Sequence, residues 1–332
     1  LIAFLKREDL RMWTPLETLK VRIRQAGGWV NAHAHFDRAL SVRKEDFEED
    51  RVNRHLHEKW ELVDAYKSAS TEDDYYATID RACRYQATQG VSSALSFIDC
   101  DEVCGDRAIK GSLRVKADNN FNLLTACQTL KGVLHPEARR WFDWASKHVD
   151  IIGGLPAKDA GREAEHLDVL LARAKVLGKR AHIHVDQLNI TEERETELLA
   201  RKVMEHGMEG RVTAVHGISL ATHAKDYRFE VYKMCLDAGL SFVACPTAWI
   251  DHRRSERLQP FHNAVTPIDE MIPLGITVAI GTDNIADVYK PYCDGDLLTE
   301  LRALLEATHF YDLDELVKIA TSNGRLVLGL DD

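Results

Sequence analysis

No apolar stretch in the chain approaches the ~20 residues that a membrane-spanning helix requires, and Leu1 to Leu5 is too short for a signal peptide before it runs into Lys6-Arg7-Glu8-Asp9. No Lys/Arg-rich run offsets the net charge of −10, so a nucleic-acid surface is not expected. The seven cysteines contain no Cys-x-x-Cys pair and their number is odd, which leaves reduced thiols in a cytoplasm as the simplest account. Low-complexity tracts, tandem repeats and long proline- or glycine-rich linkers are also absent. The whole of 1–332 therefore reads as a single domain. With 45% hydrophobic and 29% charged residues it has ample material for a large core.

Short β-rich runs alternate with longer helical stretches throughout. The pattern predicts strands at about 28–36, 91–100, 121–128, 149–155, 180–186, 211–217, 240–246 and 276–283. Strict alternation implies a parallel sheet, and eight units imply closure into an α/β fold of the (β/α)8 TIM-barrel type. Amphipathic segments between the strands include Thr14–Gln25, Arg162–Leu177 and Thr191–His206. Thr191 is the expected N-cap of its segment, with Glu192 and Glu193 in the first turn. Pro136 opens the segment that carries Trp141, Phe142 and Trp144. Those aromatics fit either helix packing or an interface, which leaves a homo-oligomer open. Two stretches stand outside the alternation: 41–75, dense in charge, and 248–265, with Trp249, His252, Arg253, Arg254, Phe261 and His262. Both emerge on the C-terminal face, either covering a site or lying solvated there.

The chemistry-bearing residues fall where strands end. His33-Ala34-His35 closes the first run, and two imidazoles spaced i, i+2 on a strand share a face, where they can grip one metal ion. His184 in Ala181-His182-Ile183-His184-Val185-Asp186-Gln187, His216 in Val215-His216-Gly217 and Asp283 in Gly281-Thr282-Asp283-Asn284 end three further runs. Polar metal-ligating types at the C-terminal ends of separate strands are where a (β/α)8 barrel keeps its chemistry. His182 shares the face of His184 one layer deeper and is expected to pack or to support the ligands.

Read together, Val30-Asn31-Ala32-His33-Ala34-His35-Phe36-Asp37, His184-Val185-Asp186-Gln187, His216, Gly281-Thr282-Asp283-Asn284 and Ala126-Cys127-Gln128 make the chain resemble the amidohydrolase superfamily, in particular its cytosine deaminase-like branch and the similar triazine aminohydrolases. The resemblance implies that His33, His35, His184 and Asp283 hold one divalent metal ion, Zn2+ or Fe2+. The ion would turn bound water into hydroxide near neutral pH. Asp283 would take the proton of that water, His216 would hold or polarise the nucleophile, and Gln128 would orient a small-molecule substrate, with Trp249 a second substrate-binding candidate. The implied reaction is hydrolysis of a non-peptide C–N bond, with ammonia or an amine leaving a nitrogen heterocycle. Some members bridge two metals with a carboxylated lysine after the fourth strand. Here Lys158 falls beyond that strand, in a loop, where a solvated lysine and a single metal are the expectation.

Two departures from the family pattern matter. Where cytosine deaminases carry a glutamate that shuttles a proton, this chain has Gln187, a catalytic-site candidate whose amide can bind substrate but cannot act as an acid near neutral pH. Asp186 stands in only if the backbone turns there. The second departure is at the ends: 27 residues precede Gly28 and little follows the last helix, so the expectation is either a member without the usual small β-sandwich or a sequence from which it has been trimmed. The lost acid keeps a cyclic amide or lactone hydrolase with the same metal set in view. A catalytically silent barrel that binds a metal or small molecule is the remaining alternative.

Overall fold

The computed structural model describes residues 13–248 and 264–331. Eight parallel strands alternate with helices: β1 Trp29–Ala34, β2 Val91–Asp99, β3 Asn122–Gln128, β4 Ile152–Gly154, β5 Ala181–Val185, β6 Val212–His216, β7 Ser241–Ala244 and β8 Val278–Ile280. Each lies inside its expected run. Strands β1 to β3 pair in order, as do β4 to β8. Single parallel bridges, Ala126 with Ile151 and Ala34 with Asp283, stitch the two sheets together along both remaining edges. The strands thus follow one another around a (β/α)8 barrel, and every strand named among the described residues belongs to it. No helix among those residues is long and apolar enough to cross a membrane.

The seam between β8 and β1 depends on glycine. A Cβ at Gly281 would stand 2.7 Å from the His33 carbonyl oxygen and 2.9 Å from its nitrogen. Only a residue without a side chain lets the two backbones meet this closely. The contact carries Asp283 to the first strand, where its N–H donates to the His33 carbonyl (3.0 Å) and its own carbonyl accepts from His35 (3.3 Å).

The opposite end of the barrel is plugged. Helix Ser322–Leu328 places Val327 and Leu328 in a cluster with Val30, Ala32 and Leu95. Asn323 donates its side-chain amide to the Val278 carbonyl (2.9 Å), and His182 Nε2 bonds to the Val327 carbonyl (3.0 Å). The packing role expected of His182 is the one it has.

Helices Pro15–Gln25, Pro136–Ala145 and Glu163–Leu177 match their expected segments. Phe142 is buried and Trp144 packs on the core, so these aromatics serve the helix's own packing. Thr191 is not a helix cap: the helix runs Glu195–His206. Asp186, at the end of β5, does the capping, accepting from the backbone N–H groups of Glu195 (2.8 Å) and Thr196 (3.1 Å). Its left-handed backbone, φ 51°, swings the side chain onto the helix start, an outcome a strand-parity argument misses.

The 41–75 stretch is folded rather than solvated. Helices Lys44–Glu48 and Leu56–Ala69 bring Lys59 and Lys67 to complete burial. Lys67 Nζ meets Asp101 at 2.5 Å and Asp64 at 2.9 Å, and Lys59 Nζ donates to the Tyr289 carbonyl (3.3 Å). These charges pin the insertion over the C-terminal mouth. Most of the other stretch, Trp249 included, lies outside the described residues.

Candidate metal centre

The strand ends bring five groups together at the C-terminal mouth. The donor atoms of His33, His35 and His184 lie within 4.8 Å of one another, as do those of His33, His216 and Asp283. Asp283 Oδ1 stands 3.1 Å from His35 Nε2 and 3.4 Å from His33 Nε2. Ring centroids of His33 and His184 are 4.8 Å apart, and those of His184 and His216 are 5.3 Å apart. Phe97 touches the rings of His33 and His184 at 4.8 and 4.7 Å and gives the cluster an apolar floor. All five groups are buried.

Their electrostatics suit a cation. Burial, reinforced by the Arg38 guanidinium, pushes His35 down to about 3, and burial pushes His216 to about 3 as well. Burial and the neighbouring imidazoles hold His184 well below its ordinary value. Neutral imidazole is the form that ligates metal. Burial opposes ionisation of Asp283, yet the adjoining His33 and His35 imidazoles outweigh it and hold the carboxyl well below the usual range. Both ring nitrogens of His33 are buried with no hydrogen-bond partner, a costly arrangement unless something fills the space between the donors. Three or four imidazole nitrogens and one carboxylate oxygen fit a divalent transition-metal ion.

The surrounding residues fix the ring orientations. His184 Nδ1 lies 3.1 Å from the Gly154 carbonyl, which turns Nε2 toward the cluster. His35 Nδ1 lies 2.7 Å from Arg38. Arg38 is itself clamped by Asp99 at 3.2 Å and by Asp37 and Asp287 at 3.7 Å. Two of the five groups sit in strained backbone: φ is 80° at His216 and 57° at Asp283. A non-glycine residue held in that region costs of order 1–3 kcal/mol, strain that clusters at functional sites.

A small cavity of about 30 Å³ adjoins the cluster, lined by Gln187, His216, Asp283, Asn284, Tyr289 and Lys290, with Leu56 of the insertion against it. His57 and Leu188, each one residue further along, line a neighbouring groove of about 540 Å³. Leu56 and Gln187 line the cavity, and their chain neighbours line the groove. The insertion covers the site.

The structure thus brings His33, His35, His184, His216 and Asp283 together and puts Gln187, with an unpartnered Nε2, on the wall beside them. Gln128 ends β3 buried, its Oε1 without a partner. Asp186 is committed to the start of helix Glu195–His206 and does not stand in for the missing acid. Lys158 is not solvated: it is half-buried with Nζ 4.4 Å above the Trp60 ring. Sequence reasoning missed Arg38, Tyr289, Lys290 and Leu56. Only Arg38 gave a signal, three residues past His35.

Residues 33–332 match the Amidohydrolase family model Amidohydro_3. A protein of Haemophilus influenzae described as uncharacterized is 46% identical over 260 residues, which is 77% of this chain and 94% of that one. N-isopropylammelide isopropyl amidohydrolase of Pseudomonas sp. strain ADP is 23% identical over 321 residues, 92% of this chain and 74% of its own. Among solved structures, 5-methylcytosine deaminase of Klebsiella pneumoniae liganded with 5-fluorocytosine superposes with a TM-score of 0.83 at 23% identity, covering 92% of this chain and 75% of that one. The chain belongs to the amidohydrolase family, metal-dependent hydrolases that act on carbon–nitrogen bonds.

Proposed function

We propose that the protein deaminates a small nitrogen heterocycle by hydrolysis at a single metal ion, releasing ammonia or an amine. The observation that carries this reading is the buried convergence of the His33, His35, His184 and His216 imidazoles on the Asp283 carboxylate. His33, His35, His184 and Asp283 would hold zinc or iron(II). A bound cation would supply positive charge that lowers the pKa of a water toward neutrality. Asp283 accepts the proton of the attacking water and returns it to the departing nitrogen. His216, opposite, orients the water by a hydrogen bond. Gln128 accepts through its free Oε1 from a substrate N–H, while Gln187 donates through its free Nε2 to a ring acceptor. Two relatives whose names give C–N hydrolysis on a triazine and on a pyrimidine support a ring substrate.

The test is metal analysis followed by a screen of aminated pyrimidines, triazines, purines and pterins for ammonia or amine release. Exchange of the amino group for oxygen in one of these classes is the expected result. The second reading, ring opening of a cyclic amide or lactone, is favoured by the absence of an acid at position 187. It would appear as a product one water heavier than its substrate, with no ammonia, and would overturn the deaminase reading.

A further inference from the structure

Position 187 leaves a gap in the chemistry. When water adds to the ring carbon bearing the amine, the electron pair of the ring C=N bond moves onto the ring nitrogen and any carbonyl conjugated with it. An acid beside the ring would neutralise that charge, but Gln187 has no proton to give at neutral pH. Among the described residues lining the cavity, Asp283 and His216 are already assigned to the metal and the attacking water. Lys290 is the remaining basic side chain among them.

Lys290 is placed there by construction. The loop after β8 folds around Asp287, whose Oδ1 accepts from the backbone N–H groups of Tyr289 (2.9 Å) and Lys290 (3.1 Å). Asp287 Oδ2 accepts from the Asn284 amide at 2.5 Å. The Lys290 side chain is 8% exposed. Its Nζ donates to Thr247 Oγ1 and lies 3.5 Å from Glu300 Oε1. Thr247 is in turn tied to Glu300 through its hydroxyl (2.5 Å) and its backbone N–H (3.0 Å). Burial pushes the lysine down, but Glu300 together with Cys293, Asp283 and Cys245 outweighs it, and the net direction is upward. An ammonium has three donor hydrogens. Thr247 and Glu300 account for two of them.

We propose that Lys290 stabilises the negative charge that builds on the substrate ring as water adds, and so does by electrostatics what an acid at position 187 would do by proton transfer. This rests on the deaminase reading above. The step balances without an acid at 187. The C–O bond forms, the water's proton passes to Asp283, and the ring carries the charge beside the ammonium. Asp283 then protonates the amine, the ring electrons re-form C=N, and ammonia leaves with the C–N pair. The lactim left behind tautomerises to the lactam. A charge held by a fixed dipole or cation in a closed site is stabilised far more than in water. The substrate class follows: amino-substituted rings whose scissile carbon is conjugated with a ring nitrogen and an oxo group.

The experiment compares wild type, Lys290→Met, Lys290→Arg and the charge-balanced pair Lys290→Met with Glu300→Gln, which keeps the test open if the single variant leaves Glu300 unpaired and unfolds. With metal content unchanged, kcat on an amino-oxo heterocycle is expected to fall on the order of 10²–10³-fold in Lys290→Met with KM nearly constant, and Lys290→Arg to recover part of it. A ring fluorine, which withdraws electrons, should rescue Lys290→Met more than wild type. Calorimetry supplies a readout independent of turnover: an anionic trioxopyrimidine should lose affinity in Lys290→Met while a neutral dioxopyrimidine does not. Wild-type deamination with an unchanged Lys290→Met, or equal loss of both ligands, overturns the role of Lys290 alone. Failure of wild type to release ammonia or an amine from any class overturns the deaminase reading and this proposal with it.

Discussion

Asp283→Asn isolates proton transfer from architecture. Asparagine preserves the side-chain volume and tolerates the left-handed backbone at 283, where φ is 57°. It still offers a carbonyl oxygen to the imidazole N–H groups that Asp283 Oδ1 meets at 3.1 and 3.4 Å. What it loses is charge and basicity. The adjoining His33 and His35 imidazoles outweigh burial and hold this carboxyl well below its ordinary value. A positioned general base contributes roughly 10²–10⁴-fold, or about 2.7–5.4 kcal/mol at 1.36 kcal/mol per tenfold. Steady-state deamination should fall by that factor, with metal content by elemental analysis and the midpoint of thermal unfolding read on the same samples. A metal-loaded Asp283→Asn protein that keeps kcat within about threefold of wild type would refute the assignment of the base.

Other expectations test the scaffold. Gly281→Ala puts a methyl 2.7 Å from the His33 carbonyl oxygen. It should cost about 1–3 kcal/mol in urea unfolding and lower metal occupancy, because the β8–β1 seam carries Asp283. Asp186→Ala removes the cap from helix Glu195–His206 and should cost about 0.5–2 kcal/mol; metal content should stay intact, and loss of the metal would mean that the residue serves the site directly. Burial, with Asp186 beside it, pushes Glu193 up to about 8, so between its unfolded value and that point the native state binds more protons than the unfolded one. Its contribution to stability is therefore present at acid pH and is lost as pH rises through about 8. Denaturation of Glu193→Gln from pH 5 to 9 should show a flatter dependence than wild type, and an unchanged slope would place the proton elsewhere.

The cluster of candidate metal ligands was legible because it lies at strand ends, where parity and apolar runs speak. His33 on β1 and His35 just past its end are spaced i, i+2, and His184, His216 and Asp283 each close a recognisable run. Regular alternation was not the whole reason, since His216 and Asp283 leave their strands through left-handed turns. The same kind of turn hid Asp186: local propensity pointed to Thr191 as the cap, while the long-range geometry of β5 delivered a better one. Lys290 and Leu56 could not be read at all. They reach the site from a loop after β8 and from an insertion after β1, and no periodicity links either to the imidazoles. Lys158 was misjudged because its cover, Trp60, is almost a hundred positions away in sequence.

The left-handed turns at 216 and 283 also narrow what this centre can become. Backbone of that shape is easiest for glycine, less costly for asparagine, aspartate and histidine than for other residues, and resists longer or branched side chains. Two filters, one conformational and one chemical, thus select from nearly the same short alphabet. An engineer wishing to recruit a thiolate or a longer carboxylate at either position would have to rebuild the turn as well as the ligand, and drift toward a softer donor set is discouraged by the main chain itself.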